Sequence, residues 1–153
     1  VHIFECSISI KASQETVFDF HTTVENILKI TPPGIKVTVI RADTPQKGQE
    51  VILRVKQFGF FVSTMQMKFV EFERPHLLSD MQIRGPFKSL FQRRTFTRIN
   101  ENETLLTDRF EYELPFGFLG KLVQRLFVGK IVETMFEFRQ RTTKKLIETE
   151  NAR

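Results

Sequence analysis

The 153-residue sequence predicts an α+β fold: a seven-stranded antiparallel sheet, two short helices after the first strand, and one long C-terminal helix. Three observations carry this expectation. Side chains alternate with period two through most of the chain up to Leu114, the pattern of half-buried strands. The alternating segments are joined by short Gly-, Pro- and Asn-containing turns, with none of the long crossovers that parallel pairing requires. After Pro115 the apolar spacing changes to three and four residues, the period of a helix.

His2 to Ile10 sets Phe4, Cys6, Ile8 and Ile10 against Glu5, Ser7, Ser9 and Lys11, and reads as a strand. Ser13 is placed to cap a short helix carrying Val17, Phe18 and Phe20. Val24 to Ile30 forms a second, ended by Thr31-Pro32-Pro33-Gly34, because proline has no amide hydrogen to continue it. Six strands follow, over Lys36 to Arg41, Glu50 to Gln57, Phe60 to Glu73, Leu77 to Arg84, Lys88 to Ile99 and Thr104 to Leu114. The terminal helix carries Leu119, Leu122, Val123, Leu126, Phe127, Ile131, Val132, Met135 and Phe136 on one side, and its stripe is expected to bury on the sheet. Gly129 inside it costs about 1 kcal/mol relative to Ala, a cost that close packing, room for a ligand or plain indifference at that position would equally explain. One domain over residues 1–153 accommodates all of this.

The most informative stretch is Leu78 to Pro115. Its even-numbered set includes Leu78, Leu90, Phe96, Leu106, Phe110, Tyr112 and Leu114, so that face should be buried. Asp80, Gln82, Gln92, Arg94 and Asp108 share the phase, and charges on a buried face cost several kcal/mol unless paired. Hairpins turning at Gly85-Pro86 and Asn100 to Glu103 would bring Asp80 and Asp108 roughly opposite Arg94, whose planar fork suits two carboxylates. Two readings stay open: an ion-pair ladder that only closes the sheet, and one that also lines a hollow interior.

Several short motifs occur in this order: Ser7-Ile8-Ser9-Ile10 followed by Val17-Phe18, the Pro32-Pro33 pair, Asp80-Met81-Gln82 leading to Gly85-Pro86-Phe87, and Thr104 to Asp108 leading to Tyr112 and Leu114-Pro115. With these motifs and this element order the chain resembles the START-like, or SRPBCC, superfamily, which includes polyketide cyclases, plant hydrophobic-ligand-binding allergens and coenzyme Q-binding proteins. The resemblance implies a helix-grip fold, a curved antiparallel sheet wrapping the C-terminal helix around a deep cavity. In the subgroup most like this chain, a Trp and two His often follow Gly-Pro-Phe in alternate positions. Leu90, Gln92 and Arg94 stand there instead, which removes the obvious acid-base candidates.

Composition narrows the function classes. Seventeen Phe with one Tyr and no Trp make the interior unusually apolar. Net charge is +5, but the basic runs Lys88 to Arg98 and Arg139 to Lys145 fall on a strand and a helix, and no nucleic acid partner is expected. His2, His21 and His76 are widely separated and lack ligand spacing, so no metal or other cofactor is expected. Cys6 alone fits a reducing, cytoplasmic setting and reads as a small buried hydrophobe. The start Val1-His2-Ile3-Phe4 has no signal-peptide layout, and the missing initiator Met is consistent with residues or a leader preceding it.

The leading expectation is a protein, monomeric or homodimeric, that binds a lipid, quinone or polyketide-like molecule. Asp80, Gln82, Gln92, Arg94 and Asp108 would hold a polar head, and Phe110, Tyr112, Met65, Met67, Leu122, Leu126 and Met135 would surround the apolar body. No residue is assigned a catalytic role. The first competitor is a cyclase or dehydratase using the same cavity, with Asp80 or Asp108 as base and Arg94 stabilising an enolate. The second is a docking module whose Phe58 to Phe61 and Phe116 to Phe118 loops meet a membrane or a protein.

Overall fold

The computed structural model describes residues 1–57 and 59–153; Phe58, expected in the first Phe-rich loop, lies outside the described residues. Strand β1 (His2–Ile10) is followed by helices α1 (Gln14–Phe20) and α2 (Val24–Lys29). Then come β2 (Ile35–Ala42), β3 (Glu50–Gln57), β4 (Phe61–Glu73), β5 (Leu77–Arg84), β6 (Ser89–Asn100) and β7 (Glu103–Glu113). The C-terminal helix runs as α3 (Gly117–Val123), a π-helical turn (Gln124–Val128) and α4 (Gly129–Asn151).

All seven strands form one antiparallel sheet in the order β1-β7-β6-β5-β4-β3-β2. Successive hairpins generate this order from β2 to β7, and β1 closes onto β7 with Cys6 opposite Asp108. Register shifts between Val39 and Arg41, Gln66 and Met67, Phe69 and Glu71, and Arg98 and Asn100 bend the strands, and this curvature lets one sheet wrap a helix. Ser13 caps α1 as expected, its hydroxyl accepting from the Thr16 amide at 3.2 Å.

The core has two apolar halves. One gathers Ile10, Val17, Phe18, Leu78, Phe96, Leu106 and Ile147; the other gathers Met67, Leu90, Phe110, Tyr112, Val132 and Phe136. On β6, Gln92 and Arg94 lie between Leu90 of one half and Phe96 of the other, and on β7 Asp108 lies between Leu106 and Phe110. The outward residues of the same strands pair in solvent: Arg93 donates to Glu71, and Arg109 to Glu5 and Glu111. On β6 and β7 the two faces therefore follow the alternation, whereas the register shifts of β4 bring Phe69 and Phe72, of opposite phase, onto the same core.

The helix departs from expectation in its first half. Only from Val132 onward is its stripe buried, through Val132, Phe136, Gln140, Thr143 and Ile147. Leu122 and Leu126, expected to line the cavity, are 44% and 59% exposed. The π-helical turn is the reason: one extra residue per turn rotates everything N-terminal to it by roughly 100° relative to α4, so a stripe continuous in sequence is broken in space. At Gly129 an added Cβ would lie 3.1 Å from Gln124 Nε2, a tight contact with the end of a flexible side chain.

Candidate functional site

Asp80, Arg94 and Asp108 do come together across three adjacent strands. Arg94 sits directly opposite Asp108 in the register, while Asp80 faces Gln92 and reaches Arg94 diagonally. Arg94 Nη1 is 3.5 Å from Asp80 Oδ1 and its Nε is 3.4 Å from Asp108 Oδ1. Both Arg94 and Asp108 are buried. Gln92, with its amide oxygen turned toward Arg94, accepts from Nε at 3.3 Å and from Nη2. From α4, Gln140 Nε2 donates to Asp108 Oδ2 at 2.9 Å and to the Cys6 carbonyl at 3.0 Å. Each charge on the buried face thus has partners, as burial demands.

Next to this rung lies a cavity of about 60 Å³. Its walls are Phe20 and His21 at the end of α1, Ile27 and Ile30 of the α2 region, Val51, Leu53, Met67 and Phe69 of the sheet, and the polar Asn26, Lys68, Asp80, Arg94 and Arg139. That is smaller than the roughly 300–1,000 Å³ of most small-molecule sites. The deep hollow expected behind β6 and β7 is filled by aromatic rings: Phe110 stands 5.0 Å from Phe136 and 5.1 Å from Tyr112, and Phe87 stands 5.8 Å from Tyr112, centroid to centroid. The open space is displaced toward α1, α2 and β3 to β5.

Of the twelve expected binding residues, Met67, Asp80 and Arg94 line the cavity. Gln92 and Asp108 back Arg94 from behind. Phe110 and Tyr112 are core, with Met65 and Met135 packed against the same cluster. Gln82 latches the β5–β6 turn, its amide donating to the Phe87 carbonyl at 2.8 Å and accepting from the Phe87 amide at 3.3 Å. Leu122 and Leu126 face solvent.

Three residues absent from the expected site belong to it. Gln140 carried the same signal used for the strands, a polar residue in phase with Phe136 and Ile147. His21 lies one helical turn beyond Val17; its Nδ1 donates to the Val17 carbonyl at 2.8 Å, leaving Nε2 as the unprotonated nitrogen. Burial, with the nearby Arg94 charge, lowers its pKa to about 4, so the ring is neutral near pH 7. Arg139 had no signal of its own in the sequence, because it stands at the head of the basic run Arg139 to Lys145, which reads as a charged helical segment.

The electrostatics are uneven. Burial raises the Asp80 carboxyl above the ordinary range against the opposing pull of Arg94 and Arg139. Arg139 drops to about 10 through burial and the neighbouring Arg94 charge. Its guanidinium carbon stands 5.2 Å from the Phe136 centroid, a cation–π contact, and among the described residues no carboxylate lies within ion-pair distance of it. The thiol of Cys6 is pushed up to about 12, chiefly by burial and then by Asp108, and is inert as a nucleophile. Ser79 donates to Glu71 at 2.8 Å, an ordinary strand hydroxyl.

Solved structures share this architecture. A START superfamily protein from Mycobacterium smegmatis superposes with a TM-score of 0.74 at 18% identity, covering 97% of this chain and 99% of that one. A norcoclaurine synthase point mutant from Thalictrum flavum, determined with a transition-state analogue, gives 0.70 at 17% identity, covering 98% and 96%. A major latex-like protein from Panax ginseng gives 0.69 at 15% identity, covering 94% and 95%. At these identities the likeness establishes the helix-grip, START-like fold. No curated protein matches the chain in sequence. The family model described as polyketide cyclase / dehydrase and lipid transport matches residues 1–148, nearly the whole length, and the chain belongs to that family.

Proposed function

We propose that the protein binds a mainly apolar small molecule ending in an anionic group, such as a carboxylate or phenolate, with that group directed at Arg139 and Arg94. The observation that carries this reading is Arg139, a guanidinium on the wall of an apolar cavity with no carboxylate paired to it among the described residues. Arg94 is already committed to Asp80 and Asp108, whereas Arg139 is held in place by the Phe136 ring and keeps its donors available. Phe20, Ile27, Ile30, Leu53 and Phe69 supply apolar contact for the body of the ligand. The volume of about 60 Å³ requires the cavity to widen on binding. Helix α2, which has no fully buried residue, is the wall that yields most readily.

The test compares a fluorescent long-chain carboxylic acid with its methyl ester in wild type, Arg139→Gln and Arg94→Gln. A charge-assisted hydrogen bond contributes about 1.5–3 kcal/mol, so wild type should prefer the acid by roughly 10- to 100-fold and Arg139→Gln should lose that preference. An unchanged ratio in Arg139→Gln refutes the assignment. His21 favours a second reading, a cyclase- or dehydratase-type enzyme, because its imidazole, with Nδ1 donating to Val17, lines the same cavity as Arg94. A pKa of about 4 makes that ring a weak base, which favours binding over proton abstraction. Product formation from a polyketide-like substrate, lost in His21→Gln, would establish the second reading.

A further inference from the structure

One end of the molecule is apolar and uncovered. The register brings the β3–β4 turn, the β5–β6 turn and the junction of β7 with α3 to the same end of the sheet. There Phe116 and Phe118 are 82% and 79% exposed, Phe60 is 80% exposed, and Leu119 and Phe127 are exposed beside them on the helix. Phe116 is also the one non-glycine residue of positive φ among the described residues, at 73°. A bulky side chain in the left-handed region is strained, and here the strain holds an aromatic ring in water, a position that folding alone does not reward.

The unpaired charge around this surface is positive. From Gly117 to Val132 the chain carries Lys121, Arg125 and Lys130 and no Asp or Glu, and with Lys130 paired to Glu133 at 3.4 Å, Lys121 and Arg125 remain. Exposed Lys56 and Arg84 lie at the same end, at the finishing ends of β3 and β5. The nearby Glu113 is already neutralised by Lys88 at 2.7 Å. We propose that this end of the molecule docks on the headgroup region of an anionic lipid bilayer, with Phe60, Phe116, Phe118, Leu119 and Phe127 entering the interface and Lys121 and Arg125 meeting lipid phosphates and carboxylates. An amphipathic helix with aromatic and aliphatic residues on one side and cations on the other has the composition of an interfacial segment. A second copy fits less well, because a two-fold contact would set this cationic segment against its own like charges.

The experiment is flotation with phosphatidylcholine vesicles and with vesicles in which about a third of the lipid is phosphatidylserine. Wild type should float with the anionic vesicles alone and detach as salt is raised. Each cation near such a surface strengthens binding by about five-fold, so Lys121→Gln with Arg125→Gln should weaken it by roughly 25-fold. Phe118→Ser with Phe127→Ser should also detach the protein, while Arg141→Gln with Lys145→Gln, an equal charge change farther along α4, should not. All these residues are exposed, so an unchanged thermal midpoint is expected for each variant and shows that lost binding is not lost folding. Failure of wild type to float, or equal weakening by the Arg141 and Lys145 pair, overturns the proposal. A dimer that dissociates in the Phe118 and Phe127 variant, without vesicle binding in wild type, overturns it in favour of a second copy.

Discussion

His21 is the residue whose ionisation should be visible in stability. Its imidazole takes a proton near 6.5 in the unfolded chain and near 4 in the folded one, so between those values the unfolded state binds more protons. Stability is therefore greatest from this source above pH 6.5 and falls as pH drops toward 4, by on the order of 1–3 kcal/mol. Asp80, with its carboxyl raised, acts in the opposite sense over the pH range between its unfolded and folded values. Thermal midpoints from pH 4.5 to 7 should rise in wild type and flatten in His21→Gln; an equal slope in both would place the effect elsewhere. At Arg94, replacement by Met or Ala strands Asp80 and Asp108 and should cost about 3–5 kcal/mol. Met should be the milder change because it fills the volume between Leu90 and Phe96, and equal denaturation midpoints for the two variants would argue against a packed interior there. The residues of this rung were legible in the sequence because polar groups stood in the phase of buried ones. Arg139 was not, since nothing in a charged helical segment distinguishes Arg139, which borders the cavity, from Arg141, which is exposed.

The C-terminal helix behaves as two pieces. Its second half packs along β1, where Lys144 Nζ donates to the Ser9 carbonyl at 2.7 Å and Glu148 accepts from the Lys11 amide at 2.8 Å. Phe136→Ala empties a site shared by Phe4, Phe110 and Arg139, and should cost about 3–5 kcal/mol in urea denaturation. Leu126→Ala, in the same apolar stripe by sequence but exposed, should stay within about 0.5 kcal/mol of wild type. Comparable losses for the two would mean that the π-helical turn does not separate the stripe. Truncation before Gly129 uncovers both core halves and should abolish cooperative unfolding; a sharp, unshifted transition would contradict the packing of α4. The existence of this helix followed from its spacing, but its division did not, because one additional residue in a turn leaves the sequence pattern unchanged.

Across the whole molecule, rigidity is distributed unevenly. Helix α4 buries five residues and α2 buries none, so α2 amides should exchange with deuterium well before those of α4. If the cavity widens there, a bound long-chain acid should slow exchange in α2 and at the adjoining Leu53 and Phe69. Slowing confined to the α3 surface would instead place the ligand outside. No described helix is long and apolar enough to cross a bilayer, which distinguishes the exposed end from a membrane span.

What the sequence by itself determined was the order of the elements, the two faces of β1, β6 and β7, and the rung joining Asp80, Arg94 and Asp108. These follow from local periodicity and hairpin connection, which depend on near neighbours in the chain. Tertiary structure alone decided how much of the interior is empty, where the cavity lies and which helical residues reach it. Those outcomes depend on how aromatic volumes from distant segments fill one another and on the phase of the helix before its π-helical turn. The Phe-rich composition pointed to a greasy interior; close packing turned most of it into solid core and left apolar surface outside.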